Sequence, residues 1–161
     1  MSEKSINNLK KKIWTDSDFD EMNWQNCLIY AVAFYPATYE VSFDIDYVFY
    51  TEKHDGCDRF WMSPATLVFS NVNDLEFSIE SWNGGLQIAS MERTAIGKPR
   101  NLEYINRDIE WLWLIDCEEG EIKLKSVGFN QYIRRPPILT EGQSLSLEER
   151  GERSFSRTVL G

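Results

Sequence analysis

The chemistry-bearing residues of this chain are few, and the most conspicuous pair, Asp44 and Asp46, lies inside the apolar run VSFDIDYVFY at residues 41–50. A strand has a side-chain period of two, so Val41, Phe43, Ile45, Tyr47 and Phe49 share one face while Ser42, Asp44, Asp46, Val48 and Tyr50 share the other. The two aspartate Cα atoms are then about 6.5–7 Å apart. Carboxylates at that separation can share a cation or divide general-acid and general-base roles, the chemistry of a metal-assisted hydrolase or transferase. The D-x-D of nucleotide-sugar transferases sits in an α/β sheet after a nucleotide-binding half, a context missing here. A plainer role is structural, with one aspartate facing solvent while the other accepts hydrogen bonds from loop backbone or from an Arg or Trp side chain.

The next cluster is TEKHDGCDR, which holds the only histidine. His54, Asp55, Cys57 and Asp58 are close in sequence, but a zinc site needs four ligands with tetrahedral reach and the paired spacings that provide them are absent. A hairpin tip built on Asp-Gly explains the stretch. Trp24, Gln25 and Asn26 follow Asn23 ahead of the first strong strand, and such a group can line a ligand pocket, with Trp as platform and the amides as hydrogen-bonding groups. Trp61 opens WMSPATLVF, and Trp111 and Trp113 could line the same pocket from another strand. The sequence carries no Gly-rich phosphate loop, G-x-S-x-G or H-E-x-x-H motif. No catalytic residue, metal ligand or cofactor is therefore assigned. The candidate ligand- or partner-binding residues are Asp44, Asp46, Trp24, Gln25, Asn26, Trp61 and His54.

The elements that must position these residues read as strands. From Cys27 onward, short runs rich in aromatic and β-branched residues alternate with turn signals, giving strands near 27–35, 40–51, 58–62, 65–70, 74–82, 86–93, 102–105, 108–117, 121–127 and 129–133. HDGCD, NGG and EEGE each place Gly where a hairpin needs it, which predicts pairing of 40–51 with 58–62, of 74–82 with 86–93, and of 108–117 with 121–127. Pro64 predicts an edge or a bulge, because it lacks the backbone donor. The middle of 108–117 is apolar on both faces, so its second face needs cover from a sheet, a helix or a partner. With no long helical pattern and no β-α-β alternation, the expected fold is mainly β, an antiparallel sandwich or partly open barrel with a short N-terminal helix or arm over residues 2–14. Residues 1–140 are expected to form a single β domain, and the polar stretch 141–161 to be flexible or strapped across it.

Charge narrows the function classes. Of 161 residues, 1–12 carry +3, 13–121 carry −15 and 122–161 carry +3, for a net −9. Such a body repels nucleic-acid phosphates and attracts a basic protein, so nucleic acid is excluded as a partner. Arg134 and Arg135 of RRPP, with Lys123 and Lys125, are expected to fold back for internal charge balance. No apolar run reaches the ~18 residues of a membrane span and the first residues lack an apolar leader, so a cytoplasmic protein is expected. Three widely spaced cysteines, Cys27, Cys57 and Cys117, fit reduced thiols.

Trp24 with two polar residues after it, FDIDY at 43–47 and SPATLVF at 63–69 together resemble a pattern of uncharacterised bacterial β-rich proteins, over roughly residues 19–79. In those proteins the Trp is followed by His-Asp, where this chain has Gln25 and Asn26. The resemblance implies a β-rich fold and no specific activity. At the level of class, small acidic proteins of this kind are similar to immunity proteins that neutralise secreted toxins. The leading expectation is a non-enzymatic module that binds a basic protein partner. A small-ligand-binding β protein and the metal-assisted enzyme are the alternatives.

Overall fold

The computed structural model describes residues 11–159. Two antiparallel sheets pack face to face without closing into a barrel, which resolves the sandwich-or-barrel choice in favour of the sandwich. The first sheet contains β1 (Ile13–Thr15), β2 (Leu28–Tyr35), β3 (Glu40–His54), β4 (Cys57–Ser70), β9 (Gly128–Ile133) and β10 (Ile138–Thr140), in the order β1-β9-β4-β3-β2 with β10 also on β4. The second contains β5 (Asn73–Ile79), β6 (Ile88–Gly97), β7 (Glu110–Cys117) and β8 (Gly120–Ser126), in the order β5-β8-β7-β6. A 3-10 helix at Asp16–Glu21 and one helical turn, α1 (Leu147–Arg150), complete the main elements.

Aromatic residues fill the space between the sheets. Trp113, Phe69, Phe129 and Trp24 meet edge to face with ring centroids 5.3–5.8 Å apart, and Phe43 and Tyr47 of β3 join them. Each such contact adds about 0.5–1.5 kcal/mol beyond the area it buries. The two indole N–H groups are satisfied, Trp24 Nε1 by Gln131 Oε1 at 2.9 Å and Trp113 Nε1 by the Ser126 carbonyl at 3.0 Å. The apolar face of β3 read from the sequence is the face turned to this core.

Several expectations need correction. The runs 58–62 and 65–70 form one strand, β4, that passes straight through Pro64. The Pro64 carbonyl accepts from Arg134 N, so its missing N–H points to the same side, where the chain leaves β9 and has not yet begun β10. The break in the neighbouring strand lets proline sit in the sheet interior. The stretch 102–105 holds a 3-10 turn at Leu102–Tyr104 instead of a strand. NGG does not close a hairpin: β5 and β6 lie on opposite edges of their sheet, because the β7–β8 hairpin is inserted between them. The connection wraps the end of that hairpin, with Glu80 N and Ser81 N donating to the Glu119 carbonyl, and then bridges the sheets where Ile29 N and Ile88 N donate to the carbonyls of Leu86 and Cys27. The β3–β4 and β7–β8 hairpins form as read.

Of the helix or arm expected over 2–14, residues 1–10 lie outside the described ones, and Ile13 to Thr15 pair with β9 as a strand, as their β-branched and aromatic side chains favour. Residues 160–161 also lie outside. Among the described residues, no helix is long and apolar enough to cross a membrane.

Candidate functional site

Strand β3 lies inside the first sheet, and its polar face, with Asp44 and Asp46, points away from the aromatic core. Both aspartates are nonetheless fully buried. The cover comes from the segment that follows β10, which crosses the outer face of the sheet and lowers Arg150 onto the pair. Arg150 is also fully buried. Its guanidinium straddles Asp44, with Nη2 2.7 Å from Oδ1 and Nη1 2.9 Å from Oδ2, while Nε reaches Asp46 Oδ1 at 3.2 Å. The remaining donors reach the Ile45 and Glu152 carbonyls at 3.2 and 2.9 Å, so all five guanidinium N–H groups are used. The Arg150 cation also sits 3.7 Å from the centroid of the Tyr30 ring.

Asp44 is saturated and Asp46 accepts three bonds. Asp44 takes two bonds from Arg150, one from Arg134 Nη2 at 2.8 Å and one from Ser154 N at 3.0 Å, four in all. That number matches the acceptor capacity of a carboxylate. Asp46 accepts from Leu145 N at 2.9 Å and from the Tyr30 hydroxyl, in addition to Arg150. Arg134 Nη1 donates to Thr66 Oγ1, which itself donates to the Ser156 carbonyl. Two carboxylates and two guanidinium groups leave the cluster formally neutral.

Burial and pairing pull against each other here. Burial raises the Asp46 carboxyl above its ordinary value despite the bonds from Leu145, Tyr30 and Arg150. Burial opposes the charge on Arg150, but the Asp44 and Asp46 carboxylates outweigh it and hold the guanidinium above its usual value. On Arg134 burial wins over Asp44, and the value falls. Tyr30 is raised by burial and by the acceptor beside it. The arrangement is a clasp: it fixes a crossing segment to a sheet and leaves no carboxylate of the pair free for a cation or a proton relay.

The other residues singled out from the sequence are dispersed. Trp24 belongs to the aromatic core on the opposite face of the sheet. Gln25 is exposed, and Asn26 adopts a left-handed turn conformation (φ 70°) with its carbonyl Oδ1 accepting from Gln87 Nε2. Trp61 is buried on β4 opposite Leu139 of β10. His54 stands exposed at the β3–β4 hairpin tip, 3.3 Å from Asp55. These side chains do not converge on one pocket, and the indoles of Trp24 and Trp113 are filled around by other rings. Among the described residues, no group of three or more His, Cys, Asp or Glu side chains is placed to hold a metal. Burial raises the Cys27 and Cys117 thiols to about 12. The sequence reading missed Arg150, Tyr30 and Thr66. For Arg150 a signal was present: Ser146 and Glu149 spell a capping box before it, and Gly151 ends the turn in the left-handed conformation, so SLEERG encodes an ordered turn inside a polar stretch.

A second surface lies at the end of the other sheet. An open concavity of about 450 Å³ is lined by Glu80, Asp116, Glu118, Glu119 and Glu121, together with Ser78, Ser81, Cys117 and Gly120. No Lys or Arg lines it. Trp82, 62 % exposed, follows the lining residue Ser81. Glu119 is committed internally, its Oε1 accepting from Gln87 N, and Glu121 meets Lys123. Glu80, Asp116 and Glu118 are exposed.

Comparison with protein-family models, with curated proteins and with solved structures gave no match.

Proposed function

We propose that the protein is a non-enzymatic binding module that covers a basic surface of a protein partner, in the manner of an immunity-type inhibitor. The observation that carries this reading is the carboxylate-lined concavity at the end of the β7–β8 hairpin, with an exposed tryptophan beside it. Acidic side chains that outnumber the one base beside them, Lys123 on Glu121, create a local negative potential that draws in a cationic surface and orients it, raising the association rate by roughly 10–1,000-fold over a neutral encounter. Trp82, exposed and next in sequence to the lining residue Ser81, supplies apolar contact area of the kind that anchors protein interfaces. Asp44 and Asp46 are covered by the chain's own 145–158 segment, so the concavity is the acidic surface open to a partner as the chain stands.

The test is co-purification with the basic products of adjacent genes, followed by kinetics of any complex over a range of salt. The triple variant E80Q/D116N/E118Q is expected to slow association about tenfold or more at low salt and to flatten the salt dependence. Association that is equally fast in the variant, or insensitive to salt in the parent, would overturn the reading.

A further inference from the structure

The crossing segment has the properties of a bound ligand more than those of a sheet element. Between Leu145 and Thr158 it adds no strand to the sheet. Its contacts to the body are instead those of peptide recognition: a buried apolar side chain, Leu145, at 3 % exposure; a fully buried arginine; and two backbone N–H groups, of Leu145 and Ser154, read by carboxylates. It is also structured by its own residues. Ser146 caps α1 through Glu149 N, Glu149 returns a bond to Ser146 N, and Gly151 closes the turn. The linker from β10, Glu141–Ser144, is exposed, with Gly142 N donating to Thr140 Oγ1 and Ser144 at its end hydrogen-bonding Tyr30.

Charge specifies what the face beneath accepts. Without the segment, Asp44 and Asp46 would confront a single guanidinium, Arg134, leaving one negative charge uncompensated among low-dielectric walls. A lysine brings one compact cation; the geometry here calls for a planar fork that spans two carboxylates and stacks on Tyr30, which is an arginine. Arg135, at the rim, donates to the Glu148 and Glu149 carbonyls and so recognises the C-terminal end of the short turn.

We propose that the outer face of the β3-containing sheet is a binding groove for an arginine-bearing peptide, occupied in cis by the chain's own 145–158 segment. The ligand class is a short peptide with an apolar residue five positions before an arginine, the spacing of Leu145 and Arg150. The inference deepens the reading of the protein as a receptor for a basic partner and rests on it for biological sense, but it uses a different face. A segment of the partner with the same spacing would compete with the cis segment, whose advantage is the effective concentration set by a short linker.

The experiment uses the full chain with a protease recognition sequence inserted between Gly142 and Gln143. After cutting, the released fragment is expected to remain associated through gel filtration with the near-ultraviolet aromatic signal of the core retained. A labelled peptide of residues 144–159 should then exchange into the cut protein saturably and bind the uncut protein far more weakly. The same peptide carrying R150A should compete about 100-fold less well. Equal competition by the R150A peptide would overturn the proposal, as would collapse of the aromatic signal on cutting, since the segment would then be an inseparable part of the fold. The E80Q/D116N/E118Q variant reports on the acidic concavity alone, so failure of either claim is distinguishable from failure of the other.

Discussion

Arg150 makes five hydrogen bonds and supplies two of the four that saturate Asp44, and the energetic consequence of removing it follows from that pairing. A well-paired buried ion cluster contributes little net stability over an apolar replacement, but deleting one member leaves charges buried without a partner. R150M is therefore expected to cost about 3–5 kcal/mol in chemical denaturation; a cost below about 1 kcal/mol would show that the cluster is not desolvated. The β3 acids that hold the segment are shifted in opposite directions. Asp46 is raised by burial, so its contribution favours the fold below its unfolded value and is lost as pH rises through its folded value. Glu40 is opposed by burial but lowered overall by Arg157 and Thr38, so its contribution is present above the ordinary glutamate value and is lost as pH falls through its folded value. Carboxyl-carbon NMR should find Asp46 above the ordinary aspartate range and Glu40 below that of glutamate. As pH falls, the Glu40–Arg157 contact therefore loses its contribution while protonation of Asp46 does not cost stability, and shifts of the opposite sign at these two carboxyls would contradict the assignment.

Among the elements, the local ones were legible and the distant pairings were not. Asp-Gly at 55–56 and Glu-Gly at 119–120 each close a hairpin because turn chemistry and strand alternation are encoded within a few residues of each other. NGG carries the same signal, yet the chain there runs around the β7–β8 hairpin to the far edge of its sheet. Nothing within a short window distinguishes a tight turn from a wide crossing. The period of two correctly separated the acids of β3 from its core face, but it carries no information on what covers the second face. That depended on a contact between residues more than 100 positions apart, Asp44 with Arg150. The β7 face that needs cover presents Leu112 and Leu114 half-buried, each in register with a lysine of β8, Lys125 and Lys123. Lysine stems can shield such apolar side chains while their charged ends stay in water. Gly120 is the element-level position most sensitive to change. Its φ is +149°, and a Cβ there would collide with the Ser78 carbonyl of the neighbouring strand. G120A is expected to destabilise by about 1–3 kcal/mol in thermal or chemical unfolding; a neutral result would mean that β5 shifts freely away from β8.

At the scale of the whole molecule, the charges sort by place. The basic stretch from β8 onward is largely spent on the body: Arg134 and Arg150 on the aspartates of β3, Arg157 on Glu40, Lys125 on Asp74. Among the described residues, the end of the β7–β8 hairpin keeps its exposed Glu80, Asp116 and Glu118 facing outward, which is where the function proposed above would steer a basic partner. The fold thus separates two uses of carboxylates, a desolvated pair that fastens the chain to itself and a hydrated group that faces outward. The central claim is that the D-x-D pair acts as a clasp through Arg150, and amide hydrogen exchange tests it most directly. In R150M, the Leu145 and Ser154 amides, which donate to Asp46 and Asp44, should lose at least about tenfold more protection than the amides of β7 and β8. If those two amides keep their protection, or lose no more than the distant sheet does, the aspartates of β3 hold the segment by some other means and the clasp is refuted.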